Sequence, residues 1–136
     1  TELSTNVVGL IWDKLLVNVG INALTGITGL LNGQLLEYPS LLDIMDAAVE
    51  EGEAVAKAKG VAVGETHPQV STADHVRAVA KATARNHSSM LQDILVGKKT
   101  EIDMINGAIV REGEALGIPT PVNRVLTNFI SFFEQA

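Results

Sequence analysis

Lys14, Asn18 and Asn22 recur every four residues in a stretch, Val7 to Leu24, that is otherwise almost wholly apolar. Wound as a helix at about 100° per residue, the stretch carries them as one polar line, and Thr25 falls about 20° from the meridian of Lys14. Asn is a weak helix former because its carboxamide competes with the backbone for hydrogen bonds, so two of them beside a lone cation need a reason. A helix of this kind presents an ammonium, donors and acceptors to something small and polar. The competing reading is a lysine whose stem crosses apolar surface while its head reaches water, with the two amides making polar contacts between helices.

The chain that must position this line has 136 residues, enough for one domain able to bury about two-thirds of the surface its unfolded form exposes. Without cysteine it has no disulfide, thiolate metal site or redox thiol, which fits a reducing cytoplasm. A net charge of −6, with Lys98-Lys99 the sole basic pair, disfavours a nucleic-acid backbone as partner. No uninterrupted apolar run reaches the roughly 18 residues that span a bilayer, and Thr1 to Asn6 lacks the basic start of a secretion signal, so no membrane is expected. Starting at Thr1 without methionine, the sequence reads as a piece of something longer.

The elements predicted are helices throughout, giving an all-α fold of six helices in a single domain, 1–136. Thr5 can cap the first, which runs through Lys14 to about Leu24 before Gly26 and Gly29 break it. Asn32-Gly33 is a turn. Pro39 starts a second helix to near Gly60, with Leu41, Leu42, Ile44, Met45, Ala48 and Val49 on its apolar face. Residues 61–70 form a loop, and Ser71 or Thr72 caps a third helix to about Arg85. Ser89 and Gln92 have capping-box spacing for a short helix ending at Gly97. Thr100 repeats that start signal for a helix to Leu116, stopped by Gly117, and Pro119-Thr120-Pro121 opens the last. Phe132 and Phe133 on that helix suit either the core or a homodimer.

Several standard chemistries are absent. Gly97-Lys98-Lys99-Thr100 is no phosphate loop, because Gln92 stands where the first glycine is needed and the preceding segment is helical. His67, His75 and His87 lack metal-site spacing, no GxSxG elbow occurs, and without GxGxxG any nucleotide is gripped mainly by another domain.

The block Trp12-Asp13-Lys14-Leu15-Leu16-Val17-Asn18, continuing to Ile21-Asn22-Ala23-Leu24-Thr25, resembles the opening helix of the C-terminal domain of ketopantoate reductase (2-dehydropantoate 2-reductase). Ser88-Ser89-Met90-Leu91-Gln92-Asp93, Thr100 to Gly107, and Gly117-Ile118-Pro119-Thr120-Pro121 match its later signatures in order and spacing, so the resemblance covers essentially the whole chain. It implies a helical domain of the 6-phosphogluconate dehydrogenase type that closes over substrate held against an N-terminal Rossmann domain, which this chain lacks. It also implies NADPH as cofactor, gripped mainly by that missing domain, and reduction of 2-dehydropantoate to pantoate on the way to pantothenate.

By the same resemblance Lys14 is the proton donor, Asn18, Asn22, Asn32 and Ser89 bind substrate, and Glu101 lies near the nicotinamide. Glu51 is an expected partner behind Lys14. The chemistry agrees with the residue types, since hydride arriving at a ketone carbon leaves negative charge on oxygen that a nearby ammonium stabilises and protonates. Ile11, Trp12, Leu15 and Val17 are expected to desolvate that ammonium and lower its pKa. Asn32 has a turn-only alternative, while Ser89 and Glu101 have alternatives as an N-cap and as a charge favoured at a helix start. Two other functions remain: a non-enzymatic module that binds a small carboxylate or self-associates, and a reductase for a different 2-keto acid.

Overall fold

The computed structural model describes residues 2–136, with side chains described from Val7 onward. The elements are α1 (Glu2–Thr28), a 3-10 segment (Asn32–Glu37), α2 (Pro39–Ala58), α3 (Thr72–Ala82), α4 (Ser89–Leu95), a 3-10 turn (Ile102–Met104), α5 (Asn106–Leu116) and α6 (Pro121–Gln135). No strand occurs among the described residues, as the helical periodicity requires.

α1 is the axis of the domain. α2, α3, α4 and α6 all pack against it, and Leu16, Val19 and Ala23 are completely enclosed. From Val7 to Thr28 it is long and apolar enough to cross a bilayer by length and composition, contrary to the count of uninterrupted apolar residues, because the scattered polar side chains barely dilute a mean hydropathy of 1.5. Here that apolarity is used by the core, into which half of the segment is buried.

The helix also runs farther than expected. Its bounds place Thr5 inside it, and the Thr5 side chain lies outside the described ones. At the other end it continues through Gly26 to Thr28 and stops at Gly29, whose φ of 76° suits glycine in a C-terminal cap. Gly26 is a packing residue instead of a breaker. A Cβ there would lie 3.0 Å from Ile94 Cδ1 and 3.1 Å from Ile130 Cδ1, so the missing side chain lets α4 and α6 both close onto α1.

Other boundaries shift for identifiable reasons. Ser71 caps α3, its hydroxyl accepting from Asp74 N at 3.0 Å. Ser88, one residue before the expected Ser89, caps α4 by accepting from Leu91 N at 3.1 Å. The helix expected from Thr100 is interrupted at Ile105 (φ −111°, ψ −97°), which separates a 3-10 turn from α5. Phe133 packs against the core, whereas Phe132 is exposed.

Buried amides fasten the helices together. Asn106 Nδ2 donates to Val19 O of α1 at 3.1 Å and to Asn123 Oδ1 of α6 at 3.0 Å, and Asn123 Nδ2 donates to Ala48 O of α2 at 3.0 Å and to Glu51 Oε1 at 2.8 Å. The Glu51 carboxylate also accepts from Val122 N and Asn123 N, both at 3.0 Å. Glu51 is therefore the N-terminal anchor of α6, and its expected partnership with Lys14 is corrected: both oxygens serve backbone donors that the helix start leaves unpaired. Glu51→Ala is expected to lower unfolding free energy by about 1–3 kcal/mol in denaturant titration, because it strands those donors away from water. An unchanged midpoint would remove this anchoring role.

Candidate functional site

A cleft runs along the polar line of α1. Its inner part encloses about 280 Å³ and is lined by Asn18, Asn22, Asn32, Ser89 and Glu101 together with Val17, Val79, Thr83, Asn86 and Ile105. Its outer part, about 390 Å³, is lined by Lys14, Asn18, Asp13, His75, Val79 and Leu10. The two share Val17, Asn18 and Val79 and so form one trough. Six of the seven residues singled out in sequence thus converge, and Glu51 is the exception. A separate groove lined by Ile27, Leu41, Ile44, Val125 and Phe129 is almost purely apolar and offers little to orient a polar ligand.

Lys14 lies where the helical period puts it, beside Asn18 in the trough, but it is exposed. The expected desolvation is not supplied by its neighbours: Trp12, Leu15 and Val17 are half-buried but pack against the core, and Ile11 is itself 60% exposed. Val7, Val8, Leu10 and Ile11, ahead of Lys14, are exposed, while Gly9 is buried against Ala62. Toward the inner end the amides sink: Asn18 is half-buried and Asn22 is buried, and neither carboxamide is taken up by hydrogen bonds among the described residues. A ligand is the natural partner for such groups.

Asn32 is held at the innermost wall by backbone pairing across the cleft floor. Asn32 N donates to Asn86 O at 3.0 Å and Gly33 N to Ala84 O at 3.1 Å, so the 3-10 segment lies directly against the α3–α4 connection. The approach needs glycine at 33, where a Cβ would sit 2.4 Å from Ala84 Cβ. Asn32 Nδ2 donates to Thr83 Oγ1 at 3.0 Å, while Asn32 Oδ1 is buried without a partner. The turn signal in the sequence was real, yet it serves to place a half-satisfied amide at a pocket wall.

The two adjacent serines divide their work. Ser88 is buried, caps α4, and accepts a hydrogen bond from Thr25 Oγ1 at 2.6 Å, which ties the far end of the α1 polar line to the start of α4. Ser89, the first residue of α4, is exposed and faces the cleft. Glu101 closes the same end, exposed, at the entry to the 3-10 turn. Its neighbour Thr100 is buried and bonded to Glu134 of α6.

Sequence reasoning missed the opposite wall. His75 and Val79 of α3 and Thr83 at its C-terminal cap line the cleft at the same four-residue spacing as the α1 line, a signal that was present in the sequence. Among the described residues no cluster of acidic or histidine side chains could hold a metal ion.

Residues 6–134 match the model of the C-terminal domain of ketopantoate reductases of the PanE/ApbA family. The chain belongs to that family. A 2-dehydropantoate 2-reductase from Archaeoglobus fulgidus is 42% identical over 125 residues, covering 92% of this chain and 40% of that protein. Among solved structures, a PanE/ApbA family ketopantoate reductase from Ralstonia eutropha superposes with a TM-score of 0.85 at 41% identity, covering 93% of this chain and 41% of that one. D-mandelate dehydrogenase in complex with NADH and anilino(oxo)acetate does so with a TM-score of 0.82 at 26% identity, covering 92% and 40%. The chain therefore spans about two-fifths of the length of these relatives.

The contrast between the serines is measurable. Ser88→Ala is expected to cost about 1–2 kcal/mol in unfolding free energy, since it loses a cap and the Thr25 bond. Ser89→Ala should change stability by less than about 0.5 kcal/mol. Equal costs for the two would contradict the division of roles.

Proposed function

We propose that this domain is the substrate-binding and proton-donating half of an NADPH-dependent reductase that converts 2-dehydropantoate to pantoate in pantothenate biosynthesis. The observation that carries this reading is the convergence of Lys14, Asn18, Asn22, Asn32, Ser89 and Glu101 on one trough, because nothing in the packing of the core requires those six residues to meet.

A reduced nicotinamide cofactor, when bound, supplies the hydride. The residues of this chain do the rest. Asn18, Asn22 and the unpartnered Oδ1 of Asn32 offer the donors and acceptors that fix a small oxygen-rich acid in the inner trough. The hydroxyl of Ser89, exposed at the first turn of α4, favours its anionic end. Lys14, at the outer end of the same line, stabilises the negative charge that develops on the carbonyl oxygen and then delivers a proton to that oxygen.

This chain contains no phosphate-binding glycine loop, so it meets the cofactor only at the Glu101 edge and leaves the pyrophosphate to an N-terminal Rossmann domain. The exposed Val7, Val8, Leu10 and Ile11 around Lys14 suit the surface that such a domain covers. Covering them withdraws the ammonium from water and supplies the low-dielectric setting that α1 alone lacks. The protein acts in the cytoplasm, where both cofactor and keto acid are available.

A second reading is favoured by one observation. The fold also matches a D-mandelate dehydrogenase in complex with anilino(oxo)acetate, so a reductase for another 2-keto acid fits the same scaffold. The test is steady-state oxidation of NADPH by the full-length protein with 2-dehydropantoate and a panel of branched and unbranched keto acids. Lys14→Met is expected to lower kcat by about 10²- to 10⁴-fold, the usual range for a positioned acid. A Lys14→Met protein as active as the parent would exclude the proposed role.

A further inference from the structure

His75 and Val79 on α3, with Thr83 at its C-terminal cap, face the α1 line in register, since residues four apart share a helix face. His75 shares the outer trough with Lys14, Val79 lies beside Asn18 in both parts, and Thr83 meets Asn22 and Asn32 in the inner part. Thr83 is already engaged, donating to Val79 O at 2.8 Å and accepting from Asn32. His75 is thus the polar group of this wall still open to a ligand, and among the described residues its ring nitrogens make no hydrogen bond.

The ring is held in place by a chain of bonds that begins beside Lys14. Asp13, buried, accepts from Gly64 N at 2.8 Å and from Thr66 Oγ1 at 3.0 Å. A hydroxyl has one proton, and Thr66 gives it to the carboxylate, so its contact with His67 Nδ1 at 3.0 Å requires Nδ1–H to be the donor. In the neutral ring Nε2 then accepts from Thr72 Oγ1 at 3.1 Å. His67 is buried and fixed at both nitrogens. His75 lies flat on it, centroids 4.1 Å apart and planes 8° from parallel, which leaves its other face and its edge to the trough.

Partial burial, and after it the neighbouring His67, push the His75 pKa below its ordinary value of 6.5, against an upward pull from Asp13. The ring is accordingly uncharged at neutral pH. Lys14 is the cation in this part of the cleft, and an anionic end of the ligand has no reason to prefer a neutral imidazole to it. A hydroxyl does suit such a ring, because the unprotonated nitrogen accepts its proton.

We propose that His75 is a ligand-contacting residue of this cleft, accepting a hydrogen bond from a hydroxyl of the 2-oxo acid and so selecting hydroxylated acids over their deoxy counterparts. This rests on the reductase reading above.

The experiment compares kcat/KM of the full-length protein for 2-dehydropantoate and for 3,3-dimethyl-2-oxobutanoate, which lacks only the hydroxyl group. The ratio is taken separately for the parent, His75→Phe and His75→Gln. Because both substrates are measured on the same preparation, the ratio is unaffected by any fraction of a variant that fails to fold. The ratio is expected to fall about 3- to 10-fold in His75→Phe, which keeps an aromatic ring over His67, and less in His75→Gln, whose amide oxygen still accepts.

In the parent, the ratio should also decline in acid, at a pH lower than a free imidazole would require because the His75 pKa is pushed down, as the ring takes up a proton and loses its acceptor. The charged and titratable groups around it are Asp13 and Lys14 from α1 and His67 from the preceding loop, while Asp46 of α2 is paired with Arg77. That decline should be absent in His75→Phe. An active parent whose ratio and pH dependence are unaltered in His75→Phe overturns the role of His75 alone. A parent that reduces neither acid overturns the reductase reading, and the role of His75 with it.

Discussion

One helix has to satisfy two incompatible demands, and the domain is arranged around how it does so. α1 is apolar enough that every helix able to reach it packs on it, yet one side of it carries an ammonium and two carboxamides that a dry core could not accept. The helical period keeps the two populations apart. Leu16, Val19 and Ala23 face the core, while Lys14, Asn18 and Asn22 follow a line that lines a cleft and sinks from an exposed ammonium to a buried amide. The cleft is in this sense the place where close packing had to stop.

What keeps the rest of the bundle from collapsing into that gap is a set of polar fasteners on the opposite side. Asn106, Asn123 and Glu51 link the backbone of α1 and α2 to the starts of α5 and α6. Directional bonds of this kind fix the relative rotation of helices more narrowly than aliphatic contacts do, since a slipped register would strand several buried donors at once. At the cleft end, Thr25 to Ser88 and Asn32 to Thr83 do the same for the walls. Asn106 Oδ1 is the one atom of this core network left without a partner among the described residues.

The sequence disclosed the helices and the contents of the cleft because both depend on local period. Pro39, Ser71, Gly117 and Pro121 mark boundaries through backbone chemistry that is independent of tertiary context, and their elements begin or end there. Features that depend on nonlocal contacts were hidden. Gly26 looks like a breaker until Ile94 and Ile130 are seen against it, and Ser88 and Ser89 are equivalent candidates until Thr25 picks one. Glu51 carries a signal for charge alone, and only the arrival of α6 decides what that charge serves. The exposure of Lys14 was also beyond reach, since apolar neighbours in sequence do not enclose a side chain when, like Trp12, Leu15 and Val17, they pack against the core instead.

The glycine at position 26 has a further meaning. It stands one helical step beyond Asn22, at the inner end of the α1 line, and meets α4, the helix whose first turn forms the cleft wall with Ser89. How closely Ile94 settles against this glycine therefore sets how near α4 stands to α1, and with it the width of the trough at its inner end. A spacer of this kind adjusts the cleft's width without any change in the residues that line it.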